Sequence, residues 1–148
     1  MRIQMGYPTP EEELTVLTAQ QYEHPIGNLQ QAITVDELIM AQQAIKQVYV
    51  AEEIKQYIIH LVTASRQHSD VYLGSSPRGS LALFRTAQAR AAMAGRDYVV
   101  PDDVKALAEV TLAHRIIVGP SARINDITSR HIVRDILAST PVPGANAR

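Results

Sequence analysis

Apolar residues recur at helical spacing in one segment of this chain after another. Residues 50–67 place Ile54, Ile58, Leu61 and Val62 on one stripe, which is typical of an amphipathic helix of about five turns. Segments of this kind cover roughly 60% of the chain, about twice the usual helical fraction. The strand-like pieces QVYV, DYVV and RIIVG are too short to form an independent sheet. The sequence therefore predicts a mostly α fold, a small helical bundle with very short β-bridges.

Local signals mark where helices begin and end. Thr9 precedes Pro10 and stands three residues before Glu12, which is the pattern of a capping box at a helix start. Another helix is predicted to begin at Ser76 and to stop before Gly95, since glycine often ends helices. The other predicted elements are helices over 34–48, 100–115 and 128–138, an irregular connection over 22–33 and a frayed tail over 141–148.

The composition bounds the class of protein. At 148 residues the chain fits one domain, or one domain plus a small appendage. Without cysteine it has no disulfide scaffold and no thiolate chemistry. No apolar run approaches the roughly 20 residues that span a bilayer. The first residues, MRIQMGYPTPEEE, lack the pattern of a signal peptide. We expect a cytoplasmic protein with no membrane insertion.

Charge is unevenly distributed, although the net charge is only −1. Residues 1–60 hold eight acidic and three basic side chains, whereas residues 61–148 hold seven acidic and eleven basic ones. On a helical wheel Arg78, Arg85 and Arg96 fall on one stripe. That stripe is either a surface for an anionic partner or the solvated side of a packed helix.

Arg78 departs from the pattern of the other proline-started helices. In TPEEE and VPDDV, acidic residues fill the first turn, where the positive end of the helix dipole favours them. In SPRGS, with Ser76 as N-cap and Pro77 as the first helical residue, that place belongs to Arg78. Gly79 beside it also disfavours a helix.

A bound phosphate would remove this conflict, because the free N–H groups, the helix dipole and the guanidinium of Arg78 all attract an anion. Gly79 would also let backbone or ligand come close. The alternative is an exposed arginine that pairs with a carboxylate, or with nothing, and has no functional meaning. Arg130, another arginine early in a predicted helix and without an evident ligand, illustrates that alternative.

The same stretch does not match common catalytic motifs. GSSPRGSL has Ser80 where a P-loop needs lysine and Leu81 where it needs serine or threonine. Arg78 occupies the second glycine position of a nucleophile elbow. The five histidines include no i, i+4 pair, and no acidic residue completes a ligand set, so no metal site is predicted.

Four stretches that together run from residue 2 to residue 143 carry a family resemblance. They are RIQMGYPTPEEE, VYVAEEIKQYIIHLVTASRQH, YLGSSPRGSLALFRTAQARAAMAGRDYVVPDDVKALAEVTLAHRIIV and ILASTPVP. Together they resemble the C-terminal part of the MoxR family of AAA+ ATPases. The resemblance implies a helical lid over residues 9–140, preceded over residues 1–8 by a hinge from an ATPase core.

The resemblance also implies roles for named residues. Arg78, in the S-P-R motif with Ser76 and Pro77, would be the sensor 2 arginine, which reaches the γ-phosphate side of bound ATP. Tyr7 and Pro8, in the GYP stretch, would lie at the hinge near the adenine end. Walker A, Walker B, sensor 1 and the arginine finger precede this region in the family, and that core would hold Mg²⁺. We therefore expect the parent protein to hydrolyse ATP and this fragment alone to be inactive.

The implied partners are the chain's own ATPase core and neighbouring subunits of a hexameric ring. A client protein or a von Willebrand A-type protein would be a further partner, in chaperone-like assembly or maturation of protein complexes. The second hypothesis is a freestanding helical interaction module of histone-fold type that binds protein or nucleic acid. The near-zero net charge and the 5% aromatic content argue against nucleic acid.

Overall fold

The computed structural model of the protein describes residues 1–144, and the end of the predicted frayed tail lies outside them. Over these residues the chain forms seven α-helices and one two-stranded sheet. The helices are α1 (Pro10–Ala19), α2 (Val35–Gln47), α3 (Glu52–Gln67), α4 (Pro77–Met93), α5 (Pro101–Leu112), α6 (Pro120–Ile124) and α7 (Ser129–Ser139). The strands are β1 (Val71–Leu73) and β2 (Ile117–Val118). The predicted mostly α fold is confirmed.

The chain divides into two compact units, of which the smaller is Ile3–Ala41. Its helix α1 begins with the predicted capping box, because Thr9 Oγ1 accepts from the Glu12 N–H at 3.3 Å and Glu12 Oε2 accepts from the Thr9 N–H at 2.8 Å. The connection that the sequence left irregular contains a 3-10 turn over Pro25–Asn28. Every residue of this unit is exposed.

The larger unit, residues 1–2 and 42–144, holds the hydrophobic core. Helix α3 buries all four residues of its predicted stripe, and α7 adds a second apolar face. Helix α5 buries Val104, Ala108 and Leu112 between its neighbours, while Leu107 is half-buried. Burying a leucine or valine side chain contributes about 1.5–3 kcal/mol, so these helices are held by their packed faces rather than by helix propensity.

The short strands join the helices at two places. Strand β1 pairs antiparallel with β2, and the Gly119 N–H donates to the Asp70 carbonyl at 2.7 Å. The sequence predicted β2 within RIIVG but not β1. The predicted very short bridges are confirmed, and the structure shows that QVYV pairs with DYVV, since the Tyr49 N–H donates to Asp97 and the Tyr49 carbonyl accepts from Val99.

A buried carboxylate fastens the start of α5 to the end of α4. Asp103 accepts two hydrogen bonds from the guanidinium of Arg96, at 2.7 and 2.8 Å, and a third from the Val100 N–H at 3.0 Å. Arg90 Nε lies 3.4 Å from the same carboxylate. Burial opposes ionisation of Asp103, but these hydrogen bonds and the two positive charges outweigh it and lower the pKa of the carboxyl group.

This contact corrects the predicted basic stripe. Helix α4 ends at Met93, and Arg96 lies beyond it with its guanidinium on Asp103. Arg85 donates to Gln88 Oε1 at 3.0 Å and lies over the Phe84 ring, 5.4 Å from its centre. The stripe of Arg78, Arg85 and Arg96 is therefore wrong, because a helical wheel cannot show where the helix stops or which carboxylate lies near.

None of the helices in the described part of the chain is long and apolar enough to span a bilayer.

Replacing Asp103 with asparagine should lower the free energy of unfolding at neutral pH by about 1.5–3 kcal/mol, because a charge-assisted network is lost. The folded-state pKa of Asp103 lies below its ordinary value of 3.8, so this stabilisation is complete above that value. It disappears as the pH falls through the folded-state pKa. Urea unfolding of both proteins at neutral pH and below about pH 3 measures the difference, which should shrink in acid.

Asp102→Asn is the matched control for this measurement. Asp102 stands in the same first turn, but its side chain is 86% exposed and lies 3.5 Å from Lys105. Its loss should change stability by less than about 1 kcal/mol at either pH. Equal effects of the two substitutions would contradict the role given to Asp103.

Candidate functional site

The start of α4 carries the S-P-R motif and lacks a side-chain cap. Ser76 is the N-cap residue and Pro77 the first helical residue, as predicted. The hydroxyl of Ser76 makes no capping hydrogen bond, whereas the hydroxyls of Thr9 and Thr128 cap α1 and α7. The N–H of Gly79, the third residue of α4, donates instead to the Ser76 carbonyl at 2.7 Å, so no side-chain oxygen occupies this helix start.

Arg78 is the second residue of α4. It is exposed, and it makes no hydrogen bond or ion pair with any residue of 1–144. A cation at the positive end of a helix costs a few tenths to about 1 kcal/mol when nothing compensates it. Within the described residues, that cost stays uncompensated.

Arg130 offers a direct comparison, because it is the second residue of α7. Its Nε lies 3.3 Å from Glu109 Oε1, and Arg134 holds the other oxygen of Glu109 at 2.9 Å. The sequence showed no ligand for Arg130, and the structure pairs it with a carboxylate on α5, which is one form of the alternative stated for an exposed early arginine. Arg130 in α7 therefore has a partner within the described residues, whereas Arg78 in α4 has none there.

Gly79 has a packing reason to be glycine. A Cβ atom at this position would overlap Ser75 Oγ and would lie 3.3 Å from Leu112 Cδ2. Ser75 is fully buried, and its hydroxyl has no hydrogen-bond partner among the described residues. The close neighbour that Gly79 permits is therefore Ser75 of the same chain, so this glycine is no separate sign of a ligand.

An apolar cleft of about 260 Å³ lies between α3 and α4, one helical turn after Arg78. Its lining residues are Lys55, Ile58, Ile59, Ser80, Leu81 and Phe84. Leu81 is 63% exposed and Ile59 is 55% exposed. Apolar side chains with this much exposure beside an unpaired arginine are typical of a surface that another protein domain covers.

The other predicted site residues, Tyr7 and Pro8, belong to the smaller unit. Both are exposed and lie before α1 in a segment without regular secondary structure. Gly6 before them has a φ of 74°, a left-handed conformation that favours glycine. The structure does not test their predicted role.

Three of the five histidines serve local structure. His24, His68 and His131 each accept a hydrogen bond from a nearby backbone N–H through Nδ1. In the described part of the chain, no three histidine or acidic side chains come together as a metal site would require.

Residues 63–136 match the model of the AAA lid domain family. The chain belongs to this family. Among curated proteins, it is 44% identical over 142 residues to the Bacillus subtilis protein YeaC and 28% identical over 155 residues to the chaperone MoxR1 of Mycobacterium tuberculosis. These alignments cover 96% and 99% of this chain. The predicted relation to MoxR-type AAA+ lids is therefore confirmed.

A solved structure shares the fold. The crystal structure of a proposed ATPase from Cytophaga hutchinsonii matches 96% of this chain with a TM-score of 0.83 and 30% sequence identity. This chain covers 46% of the Cytophaga hutchinsonii protein, 44% of YeaC and 41% of MoxR1, so it corresponds to less than half of each relative. These findings favour the lid over the histone-fold type module.

Sequence reasoning missed the residues that hold the start of α4 in place, which are Ser65 and Arg66 at the end of α3. Ser65 is fully buried, and Arg66 Nε donates to the Ser75 carbonyl at 2.8 Å. Neither residue belongs to a recognisable motif, because each acts on a segment nine or ten residues further along the chain.

Replacing Gly79 with alanine should lower the free energy of unfolding by about 1–3 kcal/mol, because the new methyl group overlaps the Ser75 hydroxyl. In a Ser75→Ala background the same change should cost clearly less, since the nearest remaining atoms lie at 3.3 Å. Denaturant unfolding of the wild type, the two single variants and the double variant gives the coupling energy. Identical losses in both backgrounds would show that the two side chains do not compete for space.

Proposed function

We propose that this domain is the lid of a MoxR-type AAA+ ATPase and that Arg78 acts as its sensor 2 arginine. In this proposal the γ-phosphate of ATP, held by an ATP-binding core, is the missing partner of the Arg78 guanidinium. Ser76 and Pro77 would present the uncapped helix start to the same phosphate. Tyr7 and Pro8 would form the hinge near the adenine end.

The observation that carries the proposal is the unpaired, exposed guanidinium at an uncapped helix start. A phosphate group fits this place chemically, because it would accept a charge-assisted hydrogen bond from Arg78 and interact favourably with the helix dipole. Arg130 shows that the same position is otherwise matched with a carboxylate. The family supplies the identity of the anion, since AAA+ proteins are ATPases.

In the proposed ATPase, the terminal phosphoryl group of ATP would be transferred to water, and the core would hold Mg²⁺. The contribution of this domain is positioning and charge: Arg78 would stabilise negative charge on the terminal phosphate and link nucleotide state to the angle of the lid. The domain alone is expected to bind ATP weakly and not to hydrolyse it, because one arginine contact does not offset the free-energy cost of association.

The exposed apolar side chains support a partner that covers them. In the smaller unit Leu14 is 65% exposed, Leu17 is 66% exposed and Leu29 is 75% exposed. Such apolar surface is usually buried against another protein surface in the working assembly. We propose that the chain's own ATPase core and neighbouring subunits of a hexameric ring provide that surface.

The biological setting follows the relatives. One relative is named a chaperone, and on that basis we propose chaperone-like assembly or maturation of protein complexes in the cytoplasm. A client protein or a von Willebrand A-type protein would receive the motion of the lid.

Replacing Arg78 with alanine in the full-length ATPase should lower ATP turnover by about 10- to 100-fold, which corresponds to the loss of one charge-assisted hydrogen bond. The thermal stability of the isolated domain should stay unchanged or rise slightly, because a cation leaves the positive end of a helix. Steady-state ATPase assays and thermal unfolding measure the two effects.

Arg130→Ala is the matched control, because it removes an arginine from the same position of another helix. It should lower stability by less than about 1 kcal/mol through loss of the ion pair with Glu109, and it should leave turnover near the wild-type rate. Wild-type turnover in Arg78→Ala would refute the sensor role.

A further inference from the structure

The turn before α4 is pressed against the last turn of α3. A Cβ atom on Gly74 would lie 2.6 Å from both the Arg66 Cα and the Ser65 carbonyl oxygen. Any side chain at this position would displace backbone atoms of α3. Gly74 therefore allows a backbone-to-backbone contact that fixes where the chain leaves α3 and enters α4.

The side chains of Ser65 and Arg66, both in α3, form hydrogen bonds with the backbone N–H and C=O groups of Ser75, the residue after Gly74. The Ser75 N–H donates to Ser65 Oγ at 3.0 Å, and Ser65 Oγ in turn donates to the Val62 carbonyl at 2.6 Å. Arg66 Nε donates to the Ser75 carbonyl at 2.8 Å. Residue 75 is thus tied to α3 through its donor and its acceptor, three residues before Arg78.

These contacts matter because the start of α4 has little local order of its own. Its N-cap hydroxyl makes no capping bond, and its first turn contains Gly79 and an unpaired cation, both of which disfavour a helix. Without the contacts to α3, this turn would fray. Its position is therefore set by α3 rather than by its own sequence.

We propose that Ser65 and Arg66 are positioning residues that hold Arg78 at the place where it meets an anion. This inference rests on the proposed function of Arg78. An arginine that must reach a phosphate with hydrogen-bond geometry loses its effect when its helix start shifts by about 1 Å. Ser65 and Arg66 act through the backbone of residue 75, and neither needs to touch the nucleotide.

Arg66 allows a test that separates its hydrogen bond from its charge. Arg66→Gln keeps an N–H donor, because the amide nitrogen of glutamine stands as many bonds from Cα as the Nε of arginine. Arg66→Met has the same length but no donor. Arg66 is itself exposed, so both variants are expected to fold, and thermal unfolding of each full-length ATPase checks this.

In the full-length ATPase, Arg66→Met should lower kcat by about 10-fold with a smaller change in the KM for ATP, while Arg66→Gln should stay within about two-fold of the wild type. In an Arg78→Ala background, Arg66→Met should cause no further loss, because the group that it positions is already absent. Ser65→Ala, which removes the acceptor for the Ser75 N–H, should reproduce the pattern of Arg66→Met.

Two outcomes would overturn the positioning role: equal losses in Arg66→Gln and Arg66→Met, or a loss in Arg66→Met that persists in full beside Arg78→Ala. Wild-type kcat in Arg66→Met, with a lowered kcat in Arg78→Ala, would also overturn it while leaving the proposed function intact. Wild-type turnover in Arg78→Ala would instead remove the proposed function, and with it the group that Ser65 and Arg66 are inferred to position.

Discussion

The contact between Gly74 and the last turn of α3 sets the geometry on which the site depends. With no side chain at residue 74, the chain passes against the backbone of Ser65 and Arg66, and α4 begins three residues later. At its other end, the segment that follows α4 is fastened to α5 by the buried carboxylate of Asp103. Helix α4 is therefore fixed near both ends by contacts outside its own sequence, which is how a helix with a poor start remains ordered.

Arg78 and Arg130 each stand at the second position of a helix, where a positive charge is unfavourable, and their surroundings differ. Glu109 on α5 lies beside Arg130 and compensates the cation where no function is assigned. Arg78 has no ion pair or hydrogen bond with any residue of 1–144, and its guanidinium stays exposed. A helix start that lacks both a side-chain cap and a counter-charge is costly alone and well suited to an anion that another domain brings.

The distribution of apolar surface agrees with a domain that works as part of a larger assembly. Helix α1 and the segment that follows it expose leucine side chains that a self-sufficient domain would bury, and Ile59 and Leu81 do the same beside Arg78. The relatives are more than twice as long as this domain in each alignment. The charge and the apolar surface thus lead to the same proposal, a lid that closes on an ATP-binding core.

The sequence by itself determined the longer helices but not the five-residue helix α6, because capping residues and apolar spacing act over a few neighbouring positions. Thr9, Pro77 and Thr128 marked helix starts that the structure confirms, and the S-P-R and GRDYVVPDD stretches identified the family. Only the tertiary structure decided which side chains meet across the fold. Strand β1 pairs with β2, which lies some 45 residues further along the chain. Arg96 binds Asp103 instead of lying on the predicted stripe, and Arg130 pairs with Glu109. Such pairings depend on distances between elements, which no local pattern of residues encodes.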